Sequence, residues 1–239
     1  MKTALSRQLS RYNREMIENV LYELRRRFPE TPDVRRTTKL LGRLLSGSVD
    51  DITSAEIASV ASEVESLTAE IVEREASWRQ DLPTFARMNW AASILAANEL
   101  LEAKFDAETA GIVVDRLVVE SWSGPFLRWC ASLAPAKLLR CRDTDIHKIM
   151  NGLIRHYGVG WMWKDGTPSG SEHRLITCKH CFYTRFVHSH GRPDLAGVFA
   201  GLDRLLPGTG TGPGIRRLPP GETPAELAEH DITYVIAMN

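Results

Sequence analysis

Val159-Gly160-Trp161-Met162-Trp163-Lys164, then Asp165-Gly166-Thr167-Pro168-Ser169-Gly170, then Arg174-Leu175-Ile176-Thr177 is the stretch on which the fold turns. Two short runs rich in aromatic and β-branched residues flank a turn-rich segment, and this pattern predicts an antiparallel hairpin. Everything before it reads as helix. Leu5, Leu9, Tyr12, Met16, Val20 and Leu24 recur at three- and four-residue steps and predict a helix over 4–28, ended by Pro29 and Pro32. A second helix is expected over 33–46, closed by Gly47. Thr53 or Ser54 can cap a third, in which Ile57, Val60, Val64, Leu67 and Ile71 form the buried stripe. Helices over 84–104 and 106–121 follow, the latter capped by Asp106. Ser123-Gly124-Pro125 predicts a break before a further helix over 126–135, and another is expected over 143–156.

Beyond the hairpin, short helices are expected over 180–190 and 193–206, separated by Gly191. Pro207 to Gly214 is a glycine-rich loop without the lysine and following helix of a phosphate cradle. Ile215–Leu218 and Ile232–Ala237 read as two more strands. The expected class is therefore α+β: an all-helical region over 1–140, then an α+β domain over 141–239 with a four-stranded antiparallel sheet.

The chain has 239 residues, 43% of them hydrophobic, enough to bury a core without metal or disulfide staples. Thirty basic residues balance thirty acidic ones, so the overall charge invites neither nucleic acid nor an anionic membrane. The balance is uneven along the chain. Residues 1–43 carry eleven Lys/Arg against five Asp/Glu, and residues 49–120 carry five against fifteen. Such a basic arm can dock on the acidic middle, within one chain or across a homodimer formed through the N-terminal helices; two solvated faces of opposite sign are the alternative. The best apolar run, Phe85 to Leu101, is interrupted by Arg87, Asn89 and Glu99, so no membrane span is expected, and no signal-peptide core is visible. A cytoplasmic protein is expected, its four cysteines thiols rather than bridges.

Chemistry concentrates in Cys181-Phe182-Tyr183-Thr184-Arg185-Phe186-Val187-His188-Ser189-His190. A cysteine in the first turn of a helix meets free amides and the positive end of the helix dipole, which favour thiolate. At 100° per residue, Arg185 and His188 fall within about 40° of Cys181, and His190 falls opposite. A thiolate, a cation and an imidazole on one stripe suit nucleophilic catalysis; a buried structural cysteine is the competing reading. Cys178-Lys179-His180-Cys181 has the spacing of zinc or redox sites, but no second such pair exists to complete four ligands, and no metal or other cofactor is expected. Cys130 and Cys141 sit in apolar helical surroundings and read as core. Asp203 can orient an imidazole or activate water, unless it simply faces solvent. Trp161 and Trp163 alternate on a strand and can wall one side of a small-molecule pocket.

The spelling Cys-x-Tyr-x-x-Phe from Cys181, Gly-x-Pro-Asp-Leu from Gly191, Phe-x-x-x-Asp from Phe199 and Arg-x-Leu-x-x-Gly from Arg216 resembles the L-2-amino-thiazoline-4-carboxylic acid hydrolase family, over about residues 140–239. Two departures stand out: Ala200 and His230 occupy positions where that family typically carries cysteine. The resemblance implies hydrolysis of a cyclic amidine: water adds at the carbon between nitrogen and sulfur, and the ring opens to a carbamoyl amino acid. Cys181 would be nucleophile and His188 or His230 the acid/base. Asp203 or Asp231 would orient, Arg185 would clamp the substrate carboxylate, and Tyr183, Trp161 and Trp163 would line the site. The altered cysteines point to a different small heterocyclic or amino-acid-derived substrate, in specialised biosynthesis. A metal-dependent enzyme using Cys181, His188 and His230, or a silent binding and dimerisation module, are the alternatives.

Overall fold

A computed structural model describes residues 32–78, 81–132, 160, 162–168, 173–201, 215–218, 229 and 231–237. The helices expected over 4–28 and 143–156, and Trp161, Asp203, His230 and Cys141, lie outside the described residues.

Four long helices build the first half: α1 (Val34–Ser48), α2 (Ser54–Arg74), α3 (Leu82–Lys104) and α4 (Ala107–Ser132). Their starts are set by short polar side chains. The Asp33 carboxylate accepts from the Arg36 amide, Asp81 from Thr84 and Asp106 from Thr109. At α2 the cap is reciprocal: Glu56 N–H donates to Thr53 Oγ1, and the Glu56 carboxylate accepts from Thr53 N–H at 2.8 Å.

Helix α3 is the centre. From Met88 to Asn98 every side chain is buried except that of Asn89, so it is apolar on nearly all sides, as a helix surrounded by others must be. Leu40, Leu41, Leu44 and Leu45 of α1, Val60, Val64 and Ile71 of α2, and Val113, Val114, Leu117 and Val118 of α4 close around it. The break expected at Ser123-Gly124-Pro125 does not occur, and α4 runs through it. Pro125 removes only one backbone donor, a cost of about 3 kcal/mol. The buried stripe from Val113 to Trp122 keeps α4 docked up to the proline, and packing of that size overrides a local breaker.

The second half is α+β, as expected. Strands β1 (Met162–Asp165), β2 (His173–Lys179), β3 (Ile215–Arg217) and β4 (Ile232–Ala237) pair antiparallel in the order β1-β2-β4-β3. Met162 faces Lys179 across β1 and β2, and Cys178 faces Ile232 across β2 and β4. Opposed Thr177 and Thr233 share a buried hydroxyl hydrogen bond of 2.9 Å that fixes this register. Helices α5 (Phe182–Ser189) and α6 (Leu195–Ala200) follow β2. The second of them is described over Leu195–Ala200, and the rest of the helix expected over 193–206 lies outside the described residues from 202 onward. Gly191, at φ +70°, takes the left-handed position after α5, where Gly191 N–H reaches His188 O and Arg192 N–H reaches Val187 O.

One apolar core runs through both halves. Trp90 of α3 meets Trp122, Tyr183 and Phe199 edge-on at 5.4–5.5 Å, and Tyr183 stacks on Phe199 at 4.9 Å. A polar clasp joins the same two regions at the surface, where Arg192 forks onto Glu102 at the end of α3 and onto Asp194. Among the described residues, no helix is long and apolar enough to cross a membrane.

Candidate functional site

The corner where β2 gives way to α5 holds the chemistry. Cys178 is the penultimate residue of β2, and Cys181 is the N-cap of α5; Lys179 and His180 connect them. His180 turns the chain at φ 55°, a conformation that costs a non-glycine residue about 1 kcal/mol. That cost is met by Asp231, just before β4. Its fully buried carboxylate accepts from His180 N–H at 2.9 Å and from Lys179 Nζ at 2.6 Å. The resemblance offered Asp231 as an orienting carboxylate at the site; in the structure it holds the turn that carries both cysteines.

Both thiols are free and buried. The N-cap position of Cys181 puts its sulfur at the open amides of α5. No cap hydrogen bond of full geometry forms, yet the thiolate is favoured first by the Cys178 thiol, then by the Thr184 amide and hydroxyl and the Tyr183 amide. Together these outweigh burial and lower Cys181 from 9.0 to about 6. Cys178 moves the other way. The hydrogen bond it donates to Cys181, its burial and the nearby Cys181 and Asp231 charges push it well above its ordinary value. Only Cys181 has helix amides beside it, so the pair holds one proton on Cys178 and one negative charge on Cys181.

Arg185 lies one turn beyond Cys181, with its backbone amide on Cys181 O. Its guanidinium donates to Gly160 O at 3.0 Å and lies over the Trp78 ring at 5.0 Å. The expectation of a carboxylate clamp thus meets a guanidinium already engaged; its charge does favour ionisation at Cys178. Gly160 is a glycine for lack of room, since a Cβ there would come within 3.0 Å of Thr84 Cγ2 and 3.3 Å of Phe182. His188 shares the Cys181 stripe but lies two turns along α5, about 10 Å of helical rise. It can serve an atom of a bound substrate, and is too far along the helix to take the thiol proton. Its Nδ1 is 4.0 Å from Glu229.

Tyr183 was expected to line the site. It packs instead in the shared core, 5% exposed, with its hydroxyl accepting from buried Arg87. His190 points the opposite way from Cys181, as the helical wheel predicts; its Nδ1 meets Phe186 O at 2.8 Å and its Nε2 meets Glu75, just after α2, at 3.3 Å. Trp163 stands opposite Cys178 in the β1–β2 register. Asp203, His230 and Trp161 lie outside the described residues. Among the described residues, no three His, Cys, Asp or Glu side chains gather as a metal site.

Thr184 and the Cys178 proton are the site features that the sequence pattern alone did not single out. The two-residue cysteine spacing was the signal for the second; a hydroxyl at the third helical position signals the first. Set against known proteins, the chain matches no family model, no curated protein and no solved structure.

Proposed function

We propose that the protein is a hydrolase-like enzyme that opens a cyclic amidine or related ring in a small heterocyclic or amino-acid-derived substrate, with Cys181 as nucleophile, in specialised biosynthesis. The observation that carries this reading is the position of Cys181, a buried free thiol at a helix start beside the Cys178 thiol and the Thr184 and Tyr183 amides, neighbours that favour its thiolate. The family resemblance over about 140–239 supports the same residue.

The chemistry balances with one water. The thiolate adds to the carbon between nitrogen and sulfur, and the ring C–S bond breaks as its sulfur takes a proton. Water then adds to the same carbon, the C–Sγ bond breaks, and the carbamoyl product leaves with the thiolate restored. His188 or His230 would move these protons at substrate atoms, with Asp203 orienting one of them. Trp161 and Trp163 would wall the ring. Arg185, held on Gly160 and Trp78, would keep positive charge beside the dithiol. The reading takes 141–239, with its four-stranded sheet, as the catalytic unit, in a cytoplasmic homodimer formed through residues 1–43.

The test uses reduced protein and 2-amino-thiazoline-4-carboxylate as the probe ring, with carbamoyl product measured by mass spectrometry. Turnover is expected, and Cys181→Ser should lower it on the order of 100-fold or more. A serine variant as active as the parent, or no ring opening across a panel of cyclic amidines, sinks the proposal.

A further inference from the structure

We propose that Cys178 and Cys181 are also a redox pair: a hydroperoxide oxidises Cys181 first, and Cys178 then closes an intramolecular disulfide with it. The geometry comes from the fold. Cys178 is held in a strand with neighbours on both sides, paired with Trp163 of β1 and Ile232 of β4, so it does not move independently of the sheet. Cys181 follows after a two-residue turn, and Asp231 grips that turn at both of its residues, Lys179 and His180. The two sulfurs are therefore kept as neighbours in the reduced protein, and a two-residue spacer is compatible with a bridge.

Exposure selects the oxidant. Cys181 is 7% exposed and Cys178 2%, so a small hydroperoxide suits this corner better than a bulky disulfide reagent, and it meets Cys181 first. The Cys181 thiolate attacks one peroxide oxygen, the O–O bond breaks, and the departing hydroxide takes a solvent proton to become water. Cys181 is then a sulfenic acid. Cys178 attacks the Cys181 sulfur, the S–O bond breaks, and the Cys178 proton leaves with the hydroxyl as a second water. One hydrogen peroxide is reduced to two waters, and the dithiol loses two electrons. Cys178 keeps the proton this last step requires through its hydrogen bond to Cys181 first, then through its burial and the Cys181 and Asp231 charges. Closing the bridge ties up the proposed nucleophile, so oxidation should also stop turnover. That consequence rests on the hydrolase reading; the disulfide does not.

The experiment treats the reduced, folded protein with hydrogen peroxide, then denatures and alkylates it. The mass should fall by two hydrogens before alkylation, and of the four thiols only two should then take the label. Trypsin cuts after Lys179, so the Cys178 and Cys181 fragments should stay joined until reduced. Cys178→Ser should stop at a Cys181 sulfenic acid that a cyclic diketone traps. Four surviving thiols, a bridge to Cys130 or Cys141, or a Cys181 sulfinic acid beside an intact Cys178 thiol would overturn the proposal. Because this readout needs no turnover, and ring opening is assayed on reduced protein before any oxidant, failure of either reading is seen separately.

Discussion

Helices α1 to α4 and the corner from Cys178 to Arg192 are held by different physics. In the helices, each start is capped from within a few residues and each buried face is an apolar stripe repeating every three or four positions. At the corner, the turn depends on Asp231, the helix face rests on Trp78, and the loop after α5 is tied to Glu102. Those partners lie roughly 50 to 110 residues away. The first region is organised locally and then packed; the second is local only in its backbone, and its polar groups are placed by remote chain.

Trp90 offers the harshest way to break this contrast, because it is the side chain on which the two regions meet. It is fully buried and touches Trp122, Tyr183 and Phe199. Trp90→Ala should cost about 4 kcal/mol, the range for deleting a buried aromatic. In urea, helical circular dichroism and Cys181 accessibility should both shift to lower denaturant together. If the corner opens first while the helices keep the parent midpoint, the regions do not share one cooperative core.

A smaller loss is expected at the remote contact. Asp231→Asn keeps an acceptor for His180 N–H but removes the charge opposite Lys179, a charge-assisted bond worth about 2 kcal/mol. Chemical denaturation should show that loss, and hydrogen exchange should rise at 179–181 before it rises in α3. Equal loosening of both would mean the corner is no more dependent on distant partners than the helices are.

The contrast also explains how much was legible. Thr53, Asp106 and the stripe Val60, Val64, Ile71 could be read directly, because cap and period involve neighbours in sequence. The Gly124-Pro125 break failed because the buried face of α4 outweighs one lost backbone bond. At the site, Cys181 at a helix start was readable. That Arg185 would settle on Trp78, or Tyr183 on Arg87, was not, since nothing local distinguishes a free cation or phenol from an engaged one.

Within the corner, proton sharing by the cysteines can be sharpened by pH. Cys181 alkylation should rise with a midpoint of about 6 in the parent. Cys178→Ala removes the largest support of the thiolate and should move the midpoint up toward 9.0, whereas Cys178→Ser keeps a donor and should move it less. The linkage sign follows. Between about 6 and 9 the unfolded chain still binds the Cys181 proton and the folded chain does not, so stability rises with pH over that window. Above 9 the raised Cys178 acts in reverse. The difference in melting temperature between the parent and Cys181→Ser should therefore grow from pH 6 to 8; a flat difference would remove the thiolate.

The gentlest test lies at the start of α2, where local organisation is most complete. Thr53 Oγ1 accepts from Glu56 N–H at 3.2 Å, and the Glu56 carboxylate returns to Thr53 N–H at 2.8 Å and holds the threonine hydroxyl. All of these groups are exposed, so water can replace each lost bond, and Thr53→Ala should cost only about 1 kcal/mol. The Glu56 carboxyl lies below its ordinary value because of these bonds. Its contribution is thus present at neutral pH and fades as pH falls through the lowered value, so the parent and Thr53→Ala should converge in stability in acid. Thr53 starts α2, whereas Glu75, which meets His190 of the corner, follows the helix at its other end, so the variant should leave the alkylation midpoint of Cys181 unchanged. A shift there would mean that the cap's effect travels through the helix to the corner, against the separation of local and remote control.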